Sequence, residues 1–164
     1  MNNEYDLIMQ QALLEAKKGL VKGEVPIGAV ILGPDGKILA KDHNQPITLQ
    51  DPTAHAEILS LRSAGKSLHN YRLLGATLVV TLEPCVMCMG AALNARIARL
   101  VFGAFDKKAG AAGSLYNLAE DSRFNHRMEV ITGVMEEECA GLLKEFFHYR
   151  RKEKRNRGEV PKWS

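Results

Sequence analysis

The sequence predicts a three-layer α/β/α sandwich around one mixed sheet of about five strands. Three observations carry that expectation. An amphipathic helical stripe lies near the N-terminus, a strand-turn-strand signature follows it directly, and the remainder alternates helical with strand patterns before closing on a second long stripe.

Tyr5, Ile8, Met9, Ala12, Leu13 and Ala16 recur at the spacing of one helix face, and Gly19 to Gly23 stop the pattern. The first element is a helix buried along one side. Val25 to Leu32 and Lys37 to Lys41 are strand segments flanking Gly33-Pro34-Asp35-Gly36, residue types that tight turns select, so they form a β-hairpin. Asp51-Pro52-Thr53 is a helix-start signal for the segment that runs to Arg62. A strand from Ala76 to Leu82 runs into Glu83, and Pro84 suits the first position of a helix over Cys85 to Ala95. Then come a strand at Arg99 to Gly103, a Gly- and Ala-rich loop from Lys107 to Ser114, and a strand at Met128 to Thr132. The closing helix carries Met135, Cys139, Leu142, Leu143, Phe146 and Phe147 on one face. Its acidic start, Glu136-Glu137-Glu138, and basic end, Arg150-Arg151-Lys152, complement the helix dipole.

A chain of 164 residues is long enough for one domain with a real core, so residues 1–164 are expected to form a single domain with a basic helix or tail at 148–164. No apolar run approaches the roughly 18 residues of a membrane span, and the first residues lack the pattern of a signal peptide. A cytoplasmic protein without a membrane partner is expected. Three cysteines make an odd count, and Cys139 lies on an apolar stripe as a small core residue, so no disulfide is expected. From His148 onward seven cationic side chains face two carboxylates, giving this end +5 while the rest of the chain carries −2. Such an end fits either a polyanionic partner or a solvated helix terminus.

The most informative residues are His55 and Glu57 in His55-Ala56-Glu57, with Cys85 and Cys88 in Pro84-Cys85-Val86-Met87-Cys88. They supply three zinc-type ligands and one carboxylate that is not needed as a ligand. A structural zinc closes its tetrahedron with four protein ligands, whereas a catalytic zinc keeps one position for water and lowers its pKa from ~16 toward ~7. The count fits the second case. Two thiolates separated by two residues grip one cation from a single helical turn, and a helix N-terminus there favours the thiolate form. His55 and Glu57 impose a geometric demand, because residues two apart on a regular helix point to nearly opposite sides. Taken singly, the fragments also fit a redox dithiol, half of a zinc knuckle or a core histidine. The joint H-x-E and P-C-x-x-C pattern is the signature of zinc nucleobase deaminases.

Beyond these strings, the chain resembles the bacterial tRNA-specific adenosine deaminases of the cytidine/deoxycytidylate deaminase superfamily from its first helix to its basic tail. The similarity is carried by Asp51-Pro52-Thr53-Ala54-His55-Ala56-Glu57, Asn70-Tyr71-Arg72-Leu73, Thr81 to Cys88, Gly110-Ala111-Ala112-Gly113-Ser114-Leu115 and Asn125-His126-Arg127. It implies a cytidine deaminase-like fold, a homodimer with one Zn2+ per subunit, and hydrolysis of the wobble adenosine of a tRNA anticodon to inosine. It implies zinc held by His55, Cys85 and Cys88, a zinc-bound hydroxide attacking the adenine C6, and Glu57 as proton shuttle. Asn44 is expected to read the purine edge and Asp106 to lie near the ribose, with Ala56, Asn125, Phe147 and Arg150 as further substrate contacts. The family often has Arg where this chain has Phe105. The partner implied is the tRNA anticodon stem-loop, with no DNA. Glu83 either orients the site or caps a helix, and His126 is the one further histidine in a family-like string. The competing readings are a zinc deaminase of guanine, cytosine or a free nucleoside, and a non-catalytic zinc-stabilised RNA-binding module.

Overall fold

A computed structural model describes residues 4–159 of the chain. Its elements are α1 (Asp6–Val21), β1 (Gly28–Leu32), β2 (Ile38–His43), α2 (Pro46–Leu49), α3 (Ala56–Leu68), β3 (Thr77–Leu82), α4 (Val86–Asn94), β4 (Arg99–Ala104), β5 (Glu129–Ile131) and α5 (Glu136–Asn156). The strands form one sheet in the order β2-β1-β3-β4-β5. β1 runs antiparallel to both of its neighbours, while β3, β4 and β5 run parallel, so the expected mixed sheet of five strands is what forms.

Register sorts the side chains into two faces. Val30, Val79, Val101 and Ile131 lie in one row across the sheet and pack with α1 and α5, beside Met9, Ala12, Leu13 and Cys139. The adjacent row, Ile31, Leu78, Leu100 and Val130, faces the other way and packs under α3 and α4 with Leu61, Met89 and Leu93. A sheet covered on both faces needs near-continuous apolar strands, and β1, Gly-Ala-Val-Ile-Leu, is buried throughout. Truncating one of these core side chains to Ala costs about 2–5 kcal/mol, from the lost burial of the removed atoms together with the space left unfilled.

Two helix starts differ from expectation. α3 begins at Ala56 rather than near Asp51, because the Asp51 carboxylate accepts hydrogen bonds from the Thr53 amide at 2.8 Å and its hydroxyl at 2.7 Å and closes a turn instead. α4 begins at Val86, with Cys85 as the capping residue and Pro84 before it rather than at the first helical position. α2 has no counterpart in the sequence pattern. Its four residues are too few for periodicity to register, and its first amides are satisfied from elsewhere in the chain by Glu24. Of the basic end, residues up to Asn156 belong to α5, and residues 160–164 lie outside the described part. No helix among the described residues is long and apolar enough to cross a membrane.

Candidate active site

The N-termini of α3 and α4 converge at the C-terminal end of β3, and His55 and Cys85 are the capping residues of those two helices. Both have extended backbones, φ −74°, ψ 153° for His55 and φ −76°, ψ 174° for Cys85. That answers the geometric demand. His55 stands outside the helix that carries Glu57, so the half-turn separation between them does not apply, and both side chains reach the same place.

His55 Nδ1 lies 3.4 Å from Cys88 Sγ and 3.7 Å from Cys85 Sγ. Zinc bonds of about 2.3 Å to sulfur and 2.0–2.1 Å to nitrogen, set at the tetrahedral angle, give an N···S edge of about 3.6 Å. The donors are therefore spaced for that ion, and all three ligand atoms lie within 4.8 Å of one another. The Cys85 thiol is drawn down to about 4, first by the hydrogen bond from Cys88 and then, against burial, by His55. Cys88 is pushed up as the donor in that bond and by burial, and His55 is raised by its hydrogen bond to Cys85. A thiol that ligates a cation is deprotonated outright, so metal uptake has to expel the Cys88 proton.

Glu57, in the first turn of α3, is 4% exposed. Burial pushes its carboxyl up to about 7, and it also meets the Cys88 thiol. A carboxyl poised near neutrality beside a three-donor cluster suits proton transfer rather than ligation.

Glu83 has a role that local pattern could not reveal. It is 2% exposed, and its carboxylate accepts hydrogen bonds from the amides of Asp106 at 3.0 Å, Ala112 at 3.1 Å and Ser114 at 2.9 Å, and from the Ser114 hydroxyl. It staples the 106–114 loop. That loop in turn holds the Cys85 segment, through a bridge between Cys85 and Gly110 and the Ala111 amide donating to Pro84 O at 2.8 Å. Gly110 is required there, since a Cβ would overlap the Glu83 carboxyl.

An open pocket of about 730 Å³ reaches the cluster at His55, which lines it together with Asn44. Asn44 is 5% exposed, and its Oδ1 accepts the Ala56 amide at 2.8 Å, tying Asn44 to the start of α3. The Gln45 amide donating to Ala54 O at 2.9 Å closes the same loop. Because no buried side-chain nitrogen or oxygen among the described residues lacks a partner, the Asn44 Nδ2 opens to the pocket. Asp106 also lines it, with Oδ1 accepting the Lys108 amide at 3.0 Å and the Ala109 amide at 3.2 Å. Phe105 and Phe147 line it too and are 44% and 45% exposed.

Three expected contacts do not line the pocket: Ala56 is fully buried, with its amide on Asn44 Oδ1, and the other two stand elsewhere. Asn125 accepts a hydrogen bond from Arg96 at 2.8 Å and lines a separate depression with Phe124 and His126, whose Nε2 lies 2.7 Å from Ile97 O. Arg150 sits 5.9 Å from the Phe146 ring and 3.8 Å from the Glu153 carboxylate, whereas the neighbouring Arg151 lines the pocket.

The sequence matches the family model for the cytidine and deoxycytidylate deaminase zinc-binding region over residues 2–104. It is 53% identical to a tRNA-specific adenosine deaminase of Bacillus subtilis, over 92% of each chain. The chain belongs to the cytidine and deoxycytidylate deaminase family. A further member, a tRNA-specific adenosine deaminase of Haemophilus influenzae, is 49% identical over 94% of this chain and 90% of its own. A solved structure from a study of A-to-I editing by tRNA:A34 deaminases at the wobble position matches with a TM-score of 0.79 and 44% identity, covering 82% of this chain and 97% of that one. The guanine deaminase of Bacillus subtilis matches with a TM-score of 0.59 and 40% identity, over 70% of this chain and 71% of that one. The protein is thus an enzyme of a zinc-dependent family, and its His-Cys-Cys donor set fits the family's metal.

Proposed function

We propose that the protein converts the wobble adenosine of a tRNA anticodon to inosine, consuming water and releasing ammonia. The observation that carries this reading is the buried Glu57 carboxyl, poised near 7, against a three-donor metal cluster whose His55 lines an open pocket. Zinc, when bound by His55, Cys85 and Cys88, supplies the Lewis acidity that lowers the pKa of a water to about 7. Glu57 takes the proton of the attacking water and passes it to the purine ring nitrogen beside the reacting carbon, then carries the proton of the new C6 hydroxyl to the amino group, which leaves as ammonia as the C–N bond breaks and the carbonyl forms. Asn44 offers its Nδ2 as a donor to a purine ring nitrogen, and the Ala56 amide on its Oδ1 keeps the side-chain amide from flipping. Val25, Ile27 and Leu82 give the pocket an apolar wall for the base.

A purine base as substrate is the second reading, supported by the likeness to a guanine deaminase. Incubating the zinc-loaded protein with unmodified tRNA transcripts, with adenosine and with guanine separates the two. Inosine in the tRNA is expected, and turnover of either small substrate as fast as tRNA would overturn the proposal. Glu57→Gln should keep its metal and lose about 10²–10⁴-fold in rate.

The anticodon stem-loop is the part of the tRNA that the pocket would receive, and the cytoplasm is where that substrate is met. A homodimer is supported by apolar side chains exposed along α4 and the loops beside it, Val86 at 50%, Leu115 at 54%, Tyr116 at 58% and Phe124 at 44%. Sedimentation at twice the chain mass is the expected result.

A further inference from the structure

We infer that His43, at the end of β2, is a positioning residue for Asn44: α1 holds its imidazole as the neutral tautomer protonated on Nδ1, and that grip aims the next side chain at the purine. The inference rests on the base-reading role proposed for Asn44 above.

His43 closes β2, and Asn44 follows it with its amide donating to Ile27 O at 3.1 Å, just before β1 begins. Successive side chains of an extended strand point to opposite faces, so His43 turns to α1 while Asn44 meets the start of α3 and the pocket. Fixing the imidazole therefore fixes the backbone that carries Asn44.

The ring lies against α1 and is 6% exposed. Glu15, Gly19 and Lys22 are spaced four and then three residues apart, so they share one helix face. Glu15 Oε2 lies 3.5 Å from His43 Nδ1, and Lys22 Nζ lies 3.4 Å from Nε2. Between them Gly19 lets the strand come close, since a Cβ there would stand 3.3 Å from the ring Cδ2 and 3.5 Å from Asn44 O.

The two polar partners have opposite chemistry. An ammonium has only hydrogens to offer, so Nε2 must present its lone pair to Lys22. On the other side, burial alone would raise the Glu15 carboxyl, but Lys18 at 2.6 Å, together with His43 and with Lys41 at 3.8 Å, holds it below the ordinary value. An ionised carboxylate only accepts, so Nδ1 carries the hydrogen. Asp42 adds a second carboxylate oxygen 3.7 Å from Nδ1, and the same oxygen accepts the His43 backbone amide at 2.8 Å. Every charged group that faces the ring among the described residues thus asks for a hydrogen on Nδ1 and none on Nε2. Burying a carboxylate against an imidazole costs desolvation that an apolar pair avoids, so what this pair contributes is orientation.

The tautomer is read by nitrogen NMR of the full-length zinc-loaded protein at neutral pH. A protonated Nδ1 with a bare Nε2 is expected, and the reverse pattern, or a ring protonated on both nitrogens, would overturn the inference. Inosine formation in a tRNA transcript is measured beside it. His43→Leu keeps an apolar filling but loses the donor, and should lower kcat about 10- to 100-fold, more than it raises KM and with zinc content unchanged, as a shift of about 1 Å in a bound base does. His43→Asn keeps an N–H donor near the place of Nδ1 and should restore most of that rate. Adding Glu15→Leu should abolish the rescue in His43→Asn yet cost His43→Leu nothing further, because the two residues act as one unit. An Asn variant as slow as the Leu variant, or a rescue indifferent to Glu15, would show that His43 only fills space. If the wild-type protein shows the Nδ1–H ring but makes no inosine in tRNA, the proposed function fails by itself, and the same kinetic comparison on guanine then decides the role of His43.

Discussion

Replacing Glu83 tests the loop that supports Cys85. In Glu83→Leu the amides of Asp106, Ala112 and Ser114 lose their acceptor together. A buried donor left unsatisfied costs about 1–3 kcal/mol, so three of them amount to about 3–9 kcal/mol, comparable with the whole stability of a domain. Glu83→Gln is milder. Its amide oxygen still serves Ala112 and Ser114, the Ser114 hydroxyl can turn to accept, and one donor-donor conflict remains at the Asp106 amide, for about 1–3 kcal/mol. Urea unfolding reads both, as a lowered midpoint at constant m-value. Because the stapled loop bridges to Cys85 through Gly110, Glu83→Gln should also weaken zinc binding about 10–100-fold, the size seen when groups that orient a ligand are lost. A Glu83→Leu protein within 0.5 kcal/mol of wild type, a margin of about the size ordinary surface changes produce, would show that the carboxylate does not hold the loop.

Zinc uptake by the metal-free protein at neutral pH should release at least one proton per ion, since the buried Cys88 thiol is pushed up as a donor to Cys85; titration calorimetry in two buffers of different ionisation enthalpy measures it. Gly103→Ala would drive a methyl into Cys139 Sγ and to 3.0 Å from Thr81 O, costing about 1–3 kcal/mol, and adding Cys139→Ala should recover part of that loss in a thermal melt. Burial alone would push Glu15 up, but the hydrogen bond and charge of Lys18, with His43 and Lys41, hold it below the ordinary carboxylate value. A depressed carboxyl stabilises the fold above its unfolded pKa and loses that contribution as pH falls through its folded one. Glu15→Gln should therefore be less stable than wild type at pH 7, with the gap in urea midpoint closing below about pH 4.

Elements with strong periodicity are legible in the amino-acid sequence alone. The stripe from Met9 to Ala16, the hairpin around Gly33 to Gly36 and the apolar runs of β3 and β4 each depend on neighbours close in sequence. The metal donors are legible too, because ligand chemistry restricts residue type and spacing so tightly. What stays hidden depends on distant partners. Asp51 looks like a cap by every local rule, yet the α3 amide is taken by Asn44, twelve residues upstream of Ala56. Glu24 and Glu83 have the sequence surroundings of ordinary surface acids. Their partners are amides more than twenty positions away, Ile47 and Thr48 for the first and Asp106 to Ser114 for the second. Phe146 and Phe147 share an apolar stripe in the sequence, and only the packing of α5 on the sheet decides which ring faces out.

Because His55 and Cys85 cap their helices and Cys88 sits in the first turn of α4, everything that fixes the ion lies at the entrances of the helical rods. The far ends of those rods are free to vary in length. Extra turns or a grafted segment after His69, where the backbone already turns left-handed at φ +50°, would lengthen the molecule at the end remote from the chemistry. A fold organised this way can acquire new appendages in evolution without renegotiating its metal.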